Sequence, residues 1–205
     1  MKFDDYVFES KSDITALADC IRTKTGKTGE LTVPQMKIAI DGLYMDNGII
    51  DRTIQTVVIP KWLSAIGLNA FANCSKLVNV RFETDTDGYS ALTLIREYAF
   101  QWCTSLSKIT LPNSVETIGT SAFKRCTSLT AITLPASIQY VYEKAFQYCA
   151  SLNTVTFKET PKQIGLEVFI GCPNLTDIYV PWSKGKFVGE ETCWGAKYAT
   201  IHYNS

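Results

Sequence analysis

The sequence is poor in the features that mark an enzyme, a membrane protein or a nucleic-acid binder. Its one histidine, His202, lies in a terminal ATIHY segment with no serine, cysteine or aspartate motif to make it a general base. No two of its cysteines have the short C-x₂₋₄-C spacing that zinc sites use. Charge of neither sign is in excess: 20 Lys+Arg balance 20 Asp+Glu, and no basic stripe is visible, which argues against nucleic acid as a partner. There is no run of about 18 apolar residues, so no segment reads as a membrane span. The start, MKFDDYVFESKSD, has acids where a cleaved secretory signal needs a basic start and an apolar stretch. With Met1 as the natural start, export by such a signal is not expected. What remains is ordinary globular composition, 46% hydrophobic over 205 residues, enough for one or two domains and a sizeable core.

Partial motifs add little. Gly26-Lys27-Thr28 has the ending of a phosphate-binding loop, but position 21 is Ile where the loop needs Gly. The DTDG of the ETDTDGYS segment lacks the remaining spacing and the closing Glu of a calcium loop. Neither a cofactor nor a metal is expected, and no catalytic residue stands out.

A repeat is what the sequence does contain. Six of the seven cysteines, Cys74, Cys103, Cys126, Cys149, Cys172 and Cys193, are separated by 29, 23, 23, 23 and 21 residues. Three residues after each of the first five comes Leu; six after comes Val80, Ile109, Ile132, Val155 or Ile178. Three before comes Phe71, Phe100, Phe123, Phe146 or Phe169; eight before comes Ile66, Ile95, Ile118, Val141 or Ile164. Ile54, Val57 and Ile59 extend these columns back to an initial coil near Asp51. At the other end, Ile201, eight after Cys193, marks an edge-covering strand. In SKITLP and TAITLP alternate residues are apolar, which predicts a half-buried strand ended by Pro. A second short extended piece follows, and SAFKRC then reads as a helical turn inserting Phe. One such unit cannot bury its side chains alone, whereas stacking at roughly 4.8 Å buries each against its copies. The cysteine column is expected to be one of buried thiols packed as small apolar groups.

IGTSAFKRCTSLTAITLPASI resembles the BspA-like class of bacterial leucine-rich repeats, a resemblance that covers residues 51–192. The expected class is therefore α+β: a leucine-rich-repeat solenoid of about six coils with a small N-terminal helical hairpin. The domains would be 1–50 and 51–205. In the first, Ile14, Leu17, Ala18 and Ile21 form one apolar stripe, and Met36, Ala39, Ile40 and Leu43 a second, with a Gly-containing loop between them. Leu17, Ile21, Met36, Ile40 and Leu43 are the candidate assembly residues. The segment LADCIRTKTGKTGELTVPQMKIAI resembles a module of phage tail-associated structural proteins. That resemblance implies a virion (phage tail) location, with residues 1–50 joining other virion proteins. A bacterial cell surface is the alternative.

Two solenoid faces are candidates for binding. The residue before each Cys is Asn73, Trp102, Arg125, Tyr148 or Gly171, and Trp, Arg and Tyr are enriched in binding hot spots. The same residues would also serve as amphipathic cover for neighbouring coils. Trp62, Tyr98, Tyr140, Tyr142, Tyr179 and Trp182 add aromatics outside the core phases. The outward strand column, Arg81, Thr110, Thr133, Thr156 and Tyr179, is the second face, though strand propensity also explains its threonines. The expectation is a non-enzymatic binding protein, a homo-oligomer whose partner is a protein or a cell-surface glycan, not nucleic acid and not a membrane.

Overall fold

The structure, a computed structural model, describes residues 52, 54–61 and 63–204, apart from the side chains of residues 191 and 193. The expected N-terminal hairpin, with its assembly residues Leu17, Ile21, Met36, Ile40 and Leu43, lies outside the described residues, as does Trp62.

Twelve short strands run in chain order: β1 (Thr56–Ile59), β2 (Ala65–Ile66), β3 (Asn79–Phe82), β4 (Leu94–Ile95), β5 (Lys108–Ile109), β6 (Thr117–Ile118), β7 (Ala131–Leu134), β8 (Tyr140–Val141), β9 (Thr154–Phe157), β10 (Gln163–Ile164), β11 (Asp177–Val180) and β12 (Thr200–Tyr203). All pair in parallel, each strand with its counterpart one coil away. The order β1-β3-β5 continues, after a break in the ladder, as β7-β9-β11-β12; the second sheet runs β2-β4-β6-β8-β10. The N–H of Thr130 donates to the carbonyl of Ser107 at 3.2 Å beside that break. The result is a leucine-rich-repeat solenoid of about six coils, with the repeat columns stacked inside it.

The apolar columns are buried because parallel in-register stacking sets like side chains on like. Phe71, Phe100, Phe123, Phe146 and Phe169 stack face to face at centroid separations of 5.2, 5.1, 5.2 and 5.8 Å. Ile66, Ile95, Ile118, Val141 and Ile164 are buried beside them. Gly119 permits the close approach of two coils: a Cβ there would lie 2.7 Å from the carbonyl carbon of Arg96.

Three expectations are corrected. The segment around each Phe is a chain of turns, not a helical turn. Ser121 and Arg125, flanking Phe123, have φ of 56° and 61°, and left-handed residues at that spacing break a helix. The N–H groups of Ser121, Phe123 and Arg125 donate instead to Glu143, Ala145 and Gln147 of the next coil, at 3.1, 2.8 and 2.8 Å. The described residues are consequently strand and turn, with one 3₁₀ segment at Glu190–Gly195, and the α component of the expected α+β class is not found among them. Second, the last strand is in a different register from the one the cysteine spacing suggests. Ile201 pairs with Ile178, a column six after Cys, so the final coil keeps the 23-residue step and Cys193 falls out of phase.

Third, Trp182 is core rather than surface. Its ring meets Phe157 and Phe187 edge-on at 5.2 and 5.1 Å, and its Nε1–H donates to Glu190 Oε1 at 3.1 Å. Glu190, itself buried, also accepts from the N–H of Gly185 at 2.7 Å, the N–H of Phe187 at 2.9 Å and the hydroxyl of Tyr203 at 3.3 Å. This carboxylate ties the last loop to the last strand.

Candidate binding surface

The turn edge of the solenoid carries the more developed of the two faces. Asn73, Trp102, Arg125, Tyr148 and Gly171 all have left-handed backbone, with φ of 63°, 63°, 61°, 59° and 74°. Gly and Asn tolerate that conformation; for other residues it costs about 1–2 kcal/mol. The second left-handed column, Asn69, Tyr98, Ser121, Lys144 and Glu167, also carries large residues, so the conformation belongs to the turn of every coil.

These three side chains form one stack. The Arg125 guanidinium carbon lies 4.3 Å from the centre of the Trp102 ring and 4.9 Å from that of Tyr148. Tyr148 in turn lies over Gly171, where an added Cβ would approach its Cδ1 to 2.1 Å, so the glycine makes room for the ring. Trp102 and Tyr148 remain 39% and 42% exposed. Arg125 has no carboxylate partner among the described residues. Both of its faces are covered by rings while its donor edge stays open, a rigid arrangement of the residue types that dominate binding hot spots.

The strand face is divided. Its column runs Val58, Arg81, Thr110, Thr133, Thr156, Tyr179 and His202, with Arg81 and Tyr179 four coils apart. Arg81 is exposed on β3. Tyr179 stacks on His202 at 4.5 Å and 15°, and His202 Nε2 lies 2.7 Å from Asp177 Oδ1. Asp177 also accepts from the Thr176 hydroxyl at 2.7 Å, and the two contacts, Thr176 first, hold its carboxyl below the usual range. The sequence reading placed His202 on the edge strand but missed this pairing, which depends on the shifted register of β12. Among the described residues no hydroxyl or thiol is bonded to the other ring nitrogen.

The cysteines have a role beyond filling space. Cys74, Cys103, Cys126, Cys149 and Cys172 are buried thiols. The thiols of Cys103, Cys126, Cys149 and Cys172 donate to the carbonyls of Phe71, Phe100, Phe123 and Phe146, at 3.2, 3.2, 3.1 and 3.1 Å. Each of these carbonyls already accepts the N–H of the Cys in its own coil. The thiol therefore occupies the second lone pair and ties successive coils together. Burial pushes the thiols of Cys103, Cys126 and Cys149 far above the ordinary range, which keeps them protonated and able to donate.

Comparison with known proteins settles the family. The model for the BspA type leucine rich repeat region matches in six copies over residues 50–91 and 84–197. The chain belongs to the BspA type leucine rich repeat family. Among solved structures, this BspA type protein is similar to a leucine rich repeat protein of T. pallidum, with 32% identity and a TM-score of 0.54 over 69% of this chain and 64% of that one. A leucine-rich repeat protein of Bacteroides ovatus shares the fold at 24% identity and a TM-score of 0.58, over 74% of this chain and 43% of that one. The chain thus spans less than two thirds of either relative. Comparison with curated proteins finds no match.

Proposed function

We propose that this BspA type repeat protein is a non-enzymatic binding module that meets a protein or glycan partner at a bacterial surface, through the Trp102–Arg125–Tyr148 stack. The carrying observation is Arg125, held between the Trp102 and Tyr148 rings with no carboxylate partner among the described residues. Several copies on one surface would add avidity to a weak single contact.

The test is binding of the full chain to a panel of purified surface glycans and proteins, alongside Arg125→Asn, which suits the left-handed backbone. The expected result is a saturable ligand that the variant loses while its melting temperature holds. A saturable ligand that Arg125→Asn binds equally well would move the working face elsewhere.

A second reading rests on LADCIRTKTGKTGELTVPQMKIAI: residues 1–50 join a phage tail particle and the repeats face outward. Light scattering on the full chain and on a chain beginning at Asp51 tests it. A defined homo-oligomer that becomes monomeric on removal of residues 1–50 supports an assembly module built on Leu17, Ile21, Met36, Ile40 and Leu43. Monomers in both cases remove that support.

A further inference from the structure

The 29-residue step between Cys74 and Cys103 is longer than the 23-residue period, and the extra residues build a wall. The segment between β3 and β4 is folded on itself: Asp85 Oδ1 accepts from the N–H groups of Asp87 and Tyr89 at 3.0 and 2.8 Å. It is also fastened to the next coil. The N–H of Asn113 donates to the carbonyl of Gly88 at 3.0 Å, and its side-chain Nδ2 to the carbonyl of Asp87 at 3.1 Å. The hydroxyls of Ser90 and Ser114 are 3.2 Å apart.

This wall stands beside the outward face of β3 and β5 and leaves a trough of about 710 Å³. The trough is open along its outer side. Arg81 and Lys108 line it, with the amides of Asn79 and Asn113 and the hydroxyls of Thr84 and Thr110; the half-buried Phe82 adds apolar surface. No carboxylate is among the lining residues, and Asp85 directs its Oδ1 at its own loop's N–H groups. Among the described residues neither Arg81 nor Lys108 has an acidic partner.

Glu83 lies beside Arg81 in the adjoining hollow but forms no salt bridge with it, so Arg81 and Lys108, on adjacent strands, both keep donors for an anion. The amides and hydroxyls around them both donate and accept, which suits a ligand rich in hydroxyls. An extended peptide is disfavoured, because β3 is already paired on both sides, by β1 and by β5, and offers no free edge for strand addition. We propose that the trough binds an acidic sugar unit, its carboxylate on Arg81 and Lys108 and its hydroxyls on Asn79, Asn113 and Thr110. The site lies on the strand face, apart from the Trp102–Arg125–Tyr148 stack, and stands or falls separately from it.

The experiment is an NMR titration of the full chain with sodium glucuronate, with glucose, acetate and tetraglutamate as comparisons. Saturable glucuronate shifts centred on Asn79, Arg81, Lys108 and Asn113 are expected, with affinity at least about tenfold weaker in Arg81→Gln and in Lys108→Gln. Both side chains are exposed, so both variants should keep the amide dispersion of the parent. Absence of saturable shifts, or equal affinity in parent and variants, overturns the site. Glucose or acetate binding as tightly as glucuronate overturns the acidic-sugar assignment, and tighter binding of tetraglutamate replaces it with an acidic protein partner.

Discussion

Arg125 shows how one side chain's contacts can offset the cost of its local conformation. Its left-handed backbone is strained, while its contacts with Trp102 and Tyr148 return about 0.5–2 kcal/mol. Arg125→Asn removes both terms, so its stability should stay within about 1 kcal/mol of the parent in thermal unfolding. A larger loss would mean that the stack is mainly structural. The same scale governs Asp177. Its lowered pKa means a contribution to stability that is present at neutral pH and lost as pH falls through the lowered value. Asp177→Asn should therefore be less stable than the parent near pH 7, with the difference closing in strong acid; a difference that persists there would refer it to packing. Sequence made some of these residues visible and hid others. Trp102, Arg125 and Tyr148 stood out because they vary in type beside a constant Cys. Their backbone conformation did not, since only Asn69, Asn73 and Gly171 among the left-handed positions of the repeat coils are residues that signal it.

The turn segment is the element that makes the solenoid stack. Phe123 lies between Phe100 and Phe146, and Cys126 bonds back to the Phe100 carbonyl, so one coil's turn is both wedge and clasp. Phe123→Ala should cost about 3–5 kcal/mol, the usual range for emptying a large buried aromatic site. Gly119→Ala is a sharper probe because it adds only a methyl group. That Cβ would meet backbone of the neighbouring coil at 2.7 Å, so the coils must part, at about 1–3 kcal/mol in denaturant unfolding. A neutral Gly119→Ala would show that the coil spacing is elastic. The Phe, Cys, Leu and Ile columns were legible because equal packing on every coil demands equal residues. The final coil was not: Cys193 mimics the column, but the register of β12 follows the Ile178–Ile201 pairing, and spacing alone could not rank the two.

At the scale of the whole molecule, a solenoid is a line of coils in which each touches only its neighbours, so stability must be protected at the ends. The C-terminal end is held by Glu190, a buried carboxylate that gathers Trp182, Gly185, Phe187 and Tyr203. All four partners are donors. Glu190→Gln keeps the shape but turns one acceptor oxygen into an N–H₂ group, which sets donor against donor at Gly185 and Tyr203 or, if the amide flips, at Trp182 and Phe187. The loss should be about 1–3 kcal/mol, the cost of leaving a buried donor unsatisfied. More telling is where it falls. Neighbour-only coupling predicts that amide hydrogen exchange speeds up in β12 and β11 first and stays slow in β5 to β8, because the cap can peel without opening the middle. Uniform acceleration along the chain would mean that the Phe stack and the thiol clasps couple all the coils into one cooperative unit. The end would then be a seal whose loss the whole solenoid feels, and the left-handed strip in its middle would be held in place by the entire structure rather than by its own three coils.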